Sequence, residues 1–128
     1  MTTTRNIGYA DFESTIRDND IVLVDFWASW CGPCRAFAPI FERSAASHPE
    51  IVHAKVDTEQ ENELAALMDV RSIPTIAAFR EGVLVFSQPG VLPPAALEDL
   101  ISQVAALDMD QVRATIAARK AESPSRAS

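Results

Sequence analysis

Cys31 and Cys34 are the only two cysteines of the chain, set two residues apart in Trp30-Cys31-Gly32-Pro33-Cys34. At that spacing they sit one helical turn apart, close enough to close a small disulfide ring or to be held as two thiols. Gly32 permits close backbone approach, and Pro33 suits the first turn of a helix, where its missing N–H leaves nothing unpaired. At a helix N-terminus the first thiol faces unpaired backbone N–H groups and the positive end of the helix dipole, which stabilise a thiolate. Cys31 is therefore the candidate nucleophile and Cys34 the candidate resolving thiol. The chemistry open to such a pair is thiol–disulfide exchange: one thiolate attacks a substrate disulfide, and the second displaces the substrate from the mixed disulfide. Cys34, expected to be the less exposed, must lose a proton to do so. Asp25 is the candidate base, since burial raises a carboxyl pKa toward the range where proton transfer is useful.

The elements that hold these residues follow from hydrophobic pattern and breakers. Ile21 to Trp27 is a continuous apolar run interrupted only by Asp25, which predicts a strand covered on both faces. Pro33 starts a helix carrying Phe37, Ile40 and Phe41 on one side, with Pro39 inside it and Pro49 ending it near His48. Ile51 to Asp57 predicts a further strand, and Thr58-Glu59-Gln60-Glu61 has the form of a capping box for a helix carrying Leu64, Leu67 and Met68. Ile73 to Phe79 and Val83 to Phe86, joined at Glu81-Gly82, predict a hairpin, and a helix with proline in its first turn follows Gly90. Ahead of all these, Phe12 and Ile16 share a helical face, preceded by a stub of strand at 5–7. Alternating strands and helices closed by a hairpin and a helix imply an α/β fold, a mixed central β-sheet with helices on both faces. Residues 1–107 make one domain. Met109, Val112 and Ile116 have helical spacing and predict an extra C-terminal helix over 108–121, and 122–128 is expected to be a disordered tail.

Composition narrows the function. The 128 residues suffice for one domain with a substantial core, and 48% are apolar. A net charge of −7 argues against nucleic acid and anionic membranes as partners, because both call for a basic footprint. No basic segment followed by an apolar run opens the chain, and no run of about 18 apolar residues could span a bilayer, so a cytoplasmic location is expected. In a reducing cytosol a lone Cys-x-x-Cys reads as redox-active or metal-binding.

The stretch from Asp25 through the aromatic residues to Trp30-Cys31-Gly32-Pro33-Cys34 resembles the active site of thioredoxins, and the resemblance covers roughly residues 5–105. It implies the thioredoxin fold and a protein-disulfide reductase working through a redox-active Cys31–Cys34 disulfide. It further implies that no cofactor is bound and that electrons from NADPH arrive indirectly through a flavoprotein thioredoxin reductase. Disulfide-containing client proteins are the implied substrates, the maintenance of cell redox homeostasis the implied role and a monomer the implied state. Lys55 matches a family lysine expected to pair with Asp25, and Ile73-Pro74-Thr75 resembles the family's cis-proline loop facing the cysteines. Trp30, Gly32, Pro33, Ile73, Pro74, Gly90 and Val91 would then form an apolar, backbone-rich docking surface for an extended client segment. Ser72 and Pro89 depart from the common family residues, which bears on client preference and not on the chemistry. Gly-Pro between the cysteines resembles reducing thioredoxins, whose potential lies near about −270 mV.

Two rival readings are open to test. Cys31, Cys34, His48 and His53 satisfy a Cys2His2 zinc-finger spacing, but Pro49 breaks any helix shared by the histidines and His53 falls in a strand. The second is a thioredoxin-fold binding module, a subunit or clamp on a partner protein in which the dithiol is incidental.

Overall fold

The computed structural model describes residues 3–122. The elements run β1 (Thr4–Asn6), α1 (Tyr9–Arg17), β2 (Ile21–Trp27), α2 (Gly32–Ser47), β3 (Val52–Asp57), α3 (Asn62–Leu67), β4 (Thr75–Arg80), β5 (Val83–Pro89), α4 (Pro94–Ala105) and α5 (Met109–Glu122). The strands form one sheet in the order β1-β3-β2-β4-β5. β1, β3 and β2 are parallel, whereas β4 runs antiparallel to β2 and β5 antiparallel to β4. This is the expected mixed sheet, with the expected apolar run as its middle strand.

Side-chain alternation along β2 divides the core in two. Ile21 and Leu23 join Phe37 and Phe41 of α2, Ile76 of β4 and Leu97 and Ile101 of α4 on one face. Val22, Val24 and Phe26 join Phe12 of α1, Val56 of β3 and Leu64 of α3 on the other. Period two puts Asp25 on the same face as Leu23, the one covered by α2. The helix that opens with the cysteines is thus packed over the strand that carries the carboxylate.

The β4–β5 hairpin closes as expected, with Glu81 at φ 52° and Gly82 at φ 79°. Positive φ at both central residues matches the right-handed twist of the flanking strands. Pro94 opens α4, with Pro93 at its N-cap.

Two expectations are corrected. Thr58-Glu59-Gln60-Glu61 is not a capping box: the N-cap of α3 is Glu61 and no side chain caps it. Thr58 Oγ1 donates instead to the Trp27 carbonyl (3.1 Å), and the Glu61 carboxylate accepts from the Tyr9 N–H (2.9 Å). These polar groups find better partners on β2 and α1 than on their own short helix. α3 is consequently only six residues long, and Leu67, expected on its apolar face, is 69% exposed. In α5 the apolar spacing is real but only Met109 is buried, Ile116 being exposed. Arg113 of this helix also pairs with Glu81 at 2.7 Å. Apart from Glu122, the tail expected at 122–128 lies outside the described residues.

Arg80 carries much of the far end of the sheet. Its guanidinium Nη1 donates to the carbonyls of Val104 (2.7 Å), Ala105 (3.1 Å) and Leu107 (3.4 Å), and its Nε donates to Asp20 (3.0 Å). The carbonyls at the end of a helix lack partners within it, and one planar cation here reaches two of them, Val104 and Ala105, together with Leu107 just beyond the helix.

Candidate active site

The turn after β2 delivers Cys31 to the N-cap of α2, in extended conformation, with Pro33 in the first turn. Cys31 and Cys34 are joined as a disulfide with Cα atoms 5.2 Å apart. The backbone N–H of Cys34 donates to Cys31 Sγ at 3.2 Å. The sulfur of Cys31 therefore occupies the place of a capping side-chain oxygen, where a helix start stabilises negative charge. Cys31 Sγ also lies 3.7 Å from the Ile73 carbonyl oxygen. The expected difference in exposure between the two cysteines is absent in this disulfide form, at 4% for Cys31 and 3% for Cys34.

The Ile73–Pro74 peptide is cis. Pro74 itself is fully buried, and its carbonyl accepts from the Gly90 N–H at 2.8 Å. Gly90 has φ 106°, a region that favours glycine, so the loop after β5 closes on the proline loop at a position where a side chain would be strained. Around the disulfide Ile73 is half-buried, whereas Trp30, Gly32, Pro33, Gly90 and Val91 are exposed, Trp30 at 64%.

Asp25 is fully buried in β2, in register with Lys55 of β3 and Ile76 of β4. Neither carboxylate oxygen has a hydrogen-bond partner in the protein. Burial pushes its pKa from 3.8 up to about 7, against the opposing pull of the Lys55 ammonium. Lys55 Nζ lies over the Trp27 ring, 4.9 Å from its centroid, in a cation–π contact. Trp27 packs on the disulfide cluster with Ile73, and its indole nitrogen is buried without a partner.

The zinc-finger spacing does not bring its four residues together. His53 is buried in β3: its Nδ1 donates to the Ile51 carbonyl (3.1 Å), and its Nε2 pairs with the Ser44 hydroxyl (2.9 Å), accepting from it when the ring is neutral. Desolvation lowers its pKa in keeping with that. His48, at the end of α2, faces two carboxylates: Nε2 meets Glu98 at 2.9 Å and Nδ1 meets Glu50 at 3.4 Å. Among the described residues no group of three or more His, Cys, Asp or Glu is placed to hold a metal.

One contact at the site has no signal in the local sequence. Trp30 Nε1–H donates to Glu59 Oε1 at 3.2 Å, across 29 residues of chain.

The thioredoxin family model matches residues 3–103 of the chain. A putative thioredoxin 2 from Streptomyces coelicolor is 49% identical over 122 residues, spanning 95% of this chain and 91% of that protein. A thioredoxin from Haemophilus influenzae is 41% identical over 107 residues, spanning 80% of this chain and 98% of that protein. Among solved structures, a mutant thioredoxin from Halobacterium salinarum superposes with a TM-score of 0.75 at 35% identity, covering 81% of this chain and 91% of that one.

Proposed function

Because this chain belongs to the thioredoxin family and is a thiol–disulfide oxidoreductase, we propose that it is a general reductant of protein disulfides in the cytoplasm, serving redox homeostasis. The observation that carries this reading is the Cys31–Cys34 disulfide at the start of α2, with Cys31 Sγ accepting the Cys34 N–H. In the reduced protein the same N–H and the helix dipole favour the Cys31 thiolate. That thiolate attacks one sulfur of a client disulfide, a Cys31–client bond forms and the client S–S bond breaks, releasing the first client thiolate. Cys34 then gives its proton to the Asp25 carboxylate and attacks Cys31 Sγ. The mixed disulfide breaks, the second client thiolate leaves, and two electrons have passed from the dithiol to the client.

Asp25 is suited to that role because burial holds its pKa near neutrality, with Lys55 opposite it in the β2–β3 register. Gly32, Pro33, Trp30, Ile73, Gly90 and Val91 supply the docking surface, and buried Pro74 shapes it by presenting the Ile73 backbone. The protein works as a monomer and is recycled by a flavoprotein thioredoxin reductase that draws on NADPH, so the chain itself carries no cofactor.

The experiment is reduction of insulin disulfides with dithiothreitol as electron donor, repeated with NADPH and a thioredoxin reductase. Wild type accelerates both, and Cys31→Ser abolishes both. Cys34→Ser accumulates the mixed disulfide. A wild-type protein without reductase activity, whose partner binding survives the Cys31→Ser/Cys34→Ser change, would instead be a binding module.

A further inference from the structure

Arg35 breaks a local rule at the start of α2. The N-terminal end of a helix favours anions and disfavours cations, because its free N–H groups carry partial positive charge. Yet α2 has no acidic residue in its first turn, and Arg35 is the one charged side chain from Gly32 to Phe41. A charge that gains the helix nothing points to the site the helix serves.

The guanidinium does not run on along the helix. It folds back past the helix start, and Nη1 donates to the Ser29 carbonyl at 2.8 Å, two residues ahead of the N-cap. On that course Nη2 lies 3.9 Å from the point a Cβ on Gly32 would occupy, so the cation passes alongside the residue that follows Cys31. Ser29 belongs to the turn that delivers Cys31. The Cys31 N–H closes this turn on the Ala28 carbonyl at 3.2 Å, and the Cys31 carbonyl accepts from the Arg35 N–H at 3.2 Å. Ala28 is fully buried in the cluster with the cysteines, whereas Ser29 and Trp30 are exposed. Arg35 thus grips the turn twice, through its backbone at Cys31 and through its side chain at Ser29. The neighbouring charges are engaged in other ways. Asp25 is buried on β2, Lys55 lies over the Trp27 ring, Glu59 accepts from Trp30, and Arg71 of the proline loop pairs with Asp69 at 3.0 Å.

We propose that Arg35 is a positioning residue for the first exchange step: it braces the turn that presents Cys31 and holds a positive charge at the helix mouth where the Cys31 thiolate forms. The proposal rests on the reductase reading given above. When the disulfide opens and Cys31 ionises, the cation favours the thiolate over the thiol, adding to the helix dipole that its own charge otherwise opposes. The brace keeps sulfur and guanidinium in register while the turn is open to solvent. Because Arg35 is exposed, the effect is modest and salt weakens it.

The test follows iodoacetamide alkylation of the fully reduced chain across pH, at low and high salt, with peptide mapping to read modification at Cys31. In Arg35→Gln the rate at pH 6.5 should fall about threefold or more at low salt, with a smaller loss at high salt and almost none at pH 9.5, where the thiolate forms without help. Arg35→Lys keeps the charge without the planar fork, so it should recover most of that rate. The heteronuclear NOE of the Ser29 and Trp30 backbone amides should fall in Arg35→Gln. Alkylation profiles of Arg35→Gln and wild type that superpose overturn the charge role. A loss as large at pH 9.5 as at pH 6.5, or one that Arg35→Lys does not recover, also overturns it, since that would report access to the sulfur and not its ionisation. Unchanged NOE values at Ser29 and Trp30 overturn the brace. Wild type that fails to reduce insulin disulfides would overturn the underlying reductase reading instead, whatever the alkylation rates.

Discussion

Asp25 and Lys55 stand opposite each other in the parallel register of β2 and β3, yet their side chains share no hydrogen bond. The ammonium lies over the Trp27 ring, and the carboxylate is left in an apolar strand with its pKa near 7. A direct ion pair would have pulled that pKa down and made the carboxylate a poor proton acceptor at neutral pH. The arrangement keeps the lysine's charge close enough to offset some of the burial and no more.

The proton transfer proposed for Asp25 makes the second step pH-dependent. Only the ionised carboxylate can accept the Cys34 proton, so resolution of the mixed disulfide should accelerate as pH rises through about 7. Asp25→Ala should remove that inflection and slow the step about 10- to 100-fold at pH 7. Quenched-flow trapping of the mixed disulfide measures it.

The same residue should limit stability. Its folded pKa lies above its unfolded value of 3.8, so its contribution is fully present below pH 3.8 and is lost as pH rises through about 7. With each pKa unit worth about 1.4 kcal/mol, the carboxylate at pH 8 costs on the order of 4 kcal/mol. Asp25→Ala should therefore be the more stable protein at pH 8, by about 2–4 kcal/mol after the loss of packing. Urea unfolding at pH 5 and pH 8 tests the sign, since the advantage should shrink at the lower pH.

His48 should act in the opposite range from a His left alone. Hydrogen bonding to Glu98, helped by that carboxylate's charge and by Glu50, raises its pKa from 6.5 against a smaller effect of burial. Its stabilisation is fully present below pH 6.5 and fades as pH rises through the raised value. Glu98→Gln should lower thermal stability at pH 6 by a small amount, under about 1 kcal/mol for so exposed a pair, and should leave it unchanged at pH 9.

Arg80→Ala should destabilise the fold by about 2–3 kcal/mol, because it strips a charged donor from the carbonyls of Val104, Ala105 and Leu107 at once. Arg80→Lys should recover only part of this, since an ammonium lacks the planar fork that reaches α4 and Asp20 together. Denaturant midpoints of the two variants decide the order.

Ser44→Ala removes the hydroxyl that donates to His53 Nε2 inside the core. A buried acceptor without its donor costs about 1–3 kcal/mol. The loss should appear in urea unfolding with disulfide reduction unaffected, because Ser44 and His53 lie away from the cysteines.

What could be read along the chain was whatever depends on near neighbours. The apolar run with one carboxylate became β2, Pro33 opened α2, and Glu81-Gly82 closed the hairpin because φ preferences act within a few residues. The features that escaped are pairings through space. Glu61 abandons its own helix for Tyr9, Ser44 supplies the donor for His53, Arg80 collects the end of α4, and Glu59 reaches Trp30. Each depends on which elements the fold sets side by side. The spacing of Met109, Val112 and Ile116 gave the C-terminal helix but not the extent of its burial, since a periodic pattern says nothing about whether a surface waits to receive it.

β2 is third of five strands and runs directly into the turn that bears the sulfurs. Their surroundings should therefore come apart only when the whole sheet does. Guanidinium titrations followed by alkylation of the reduced thiols and by far-ultraviolet circular dichroism should then trace a single curve. Fraying of the outermost strand or of the last helix would register earlier, in amide exchange alone, and the thiols would not sense it.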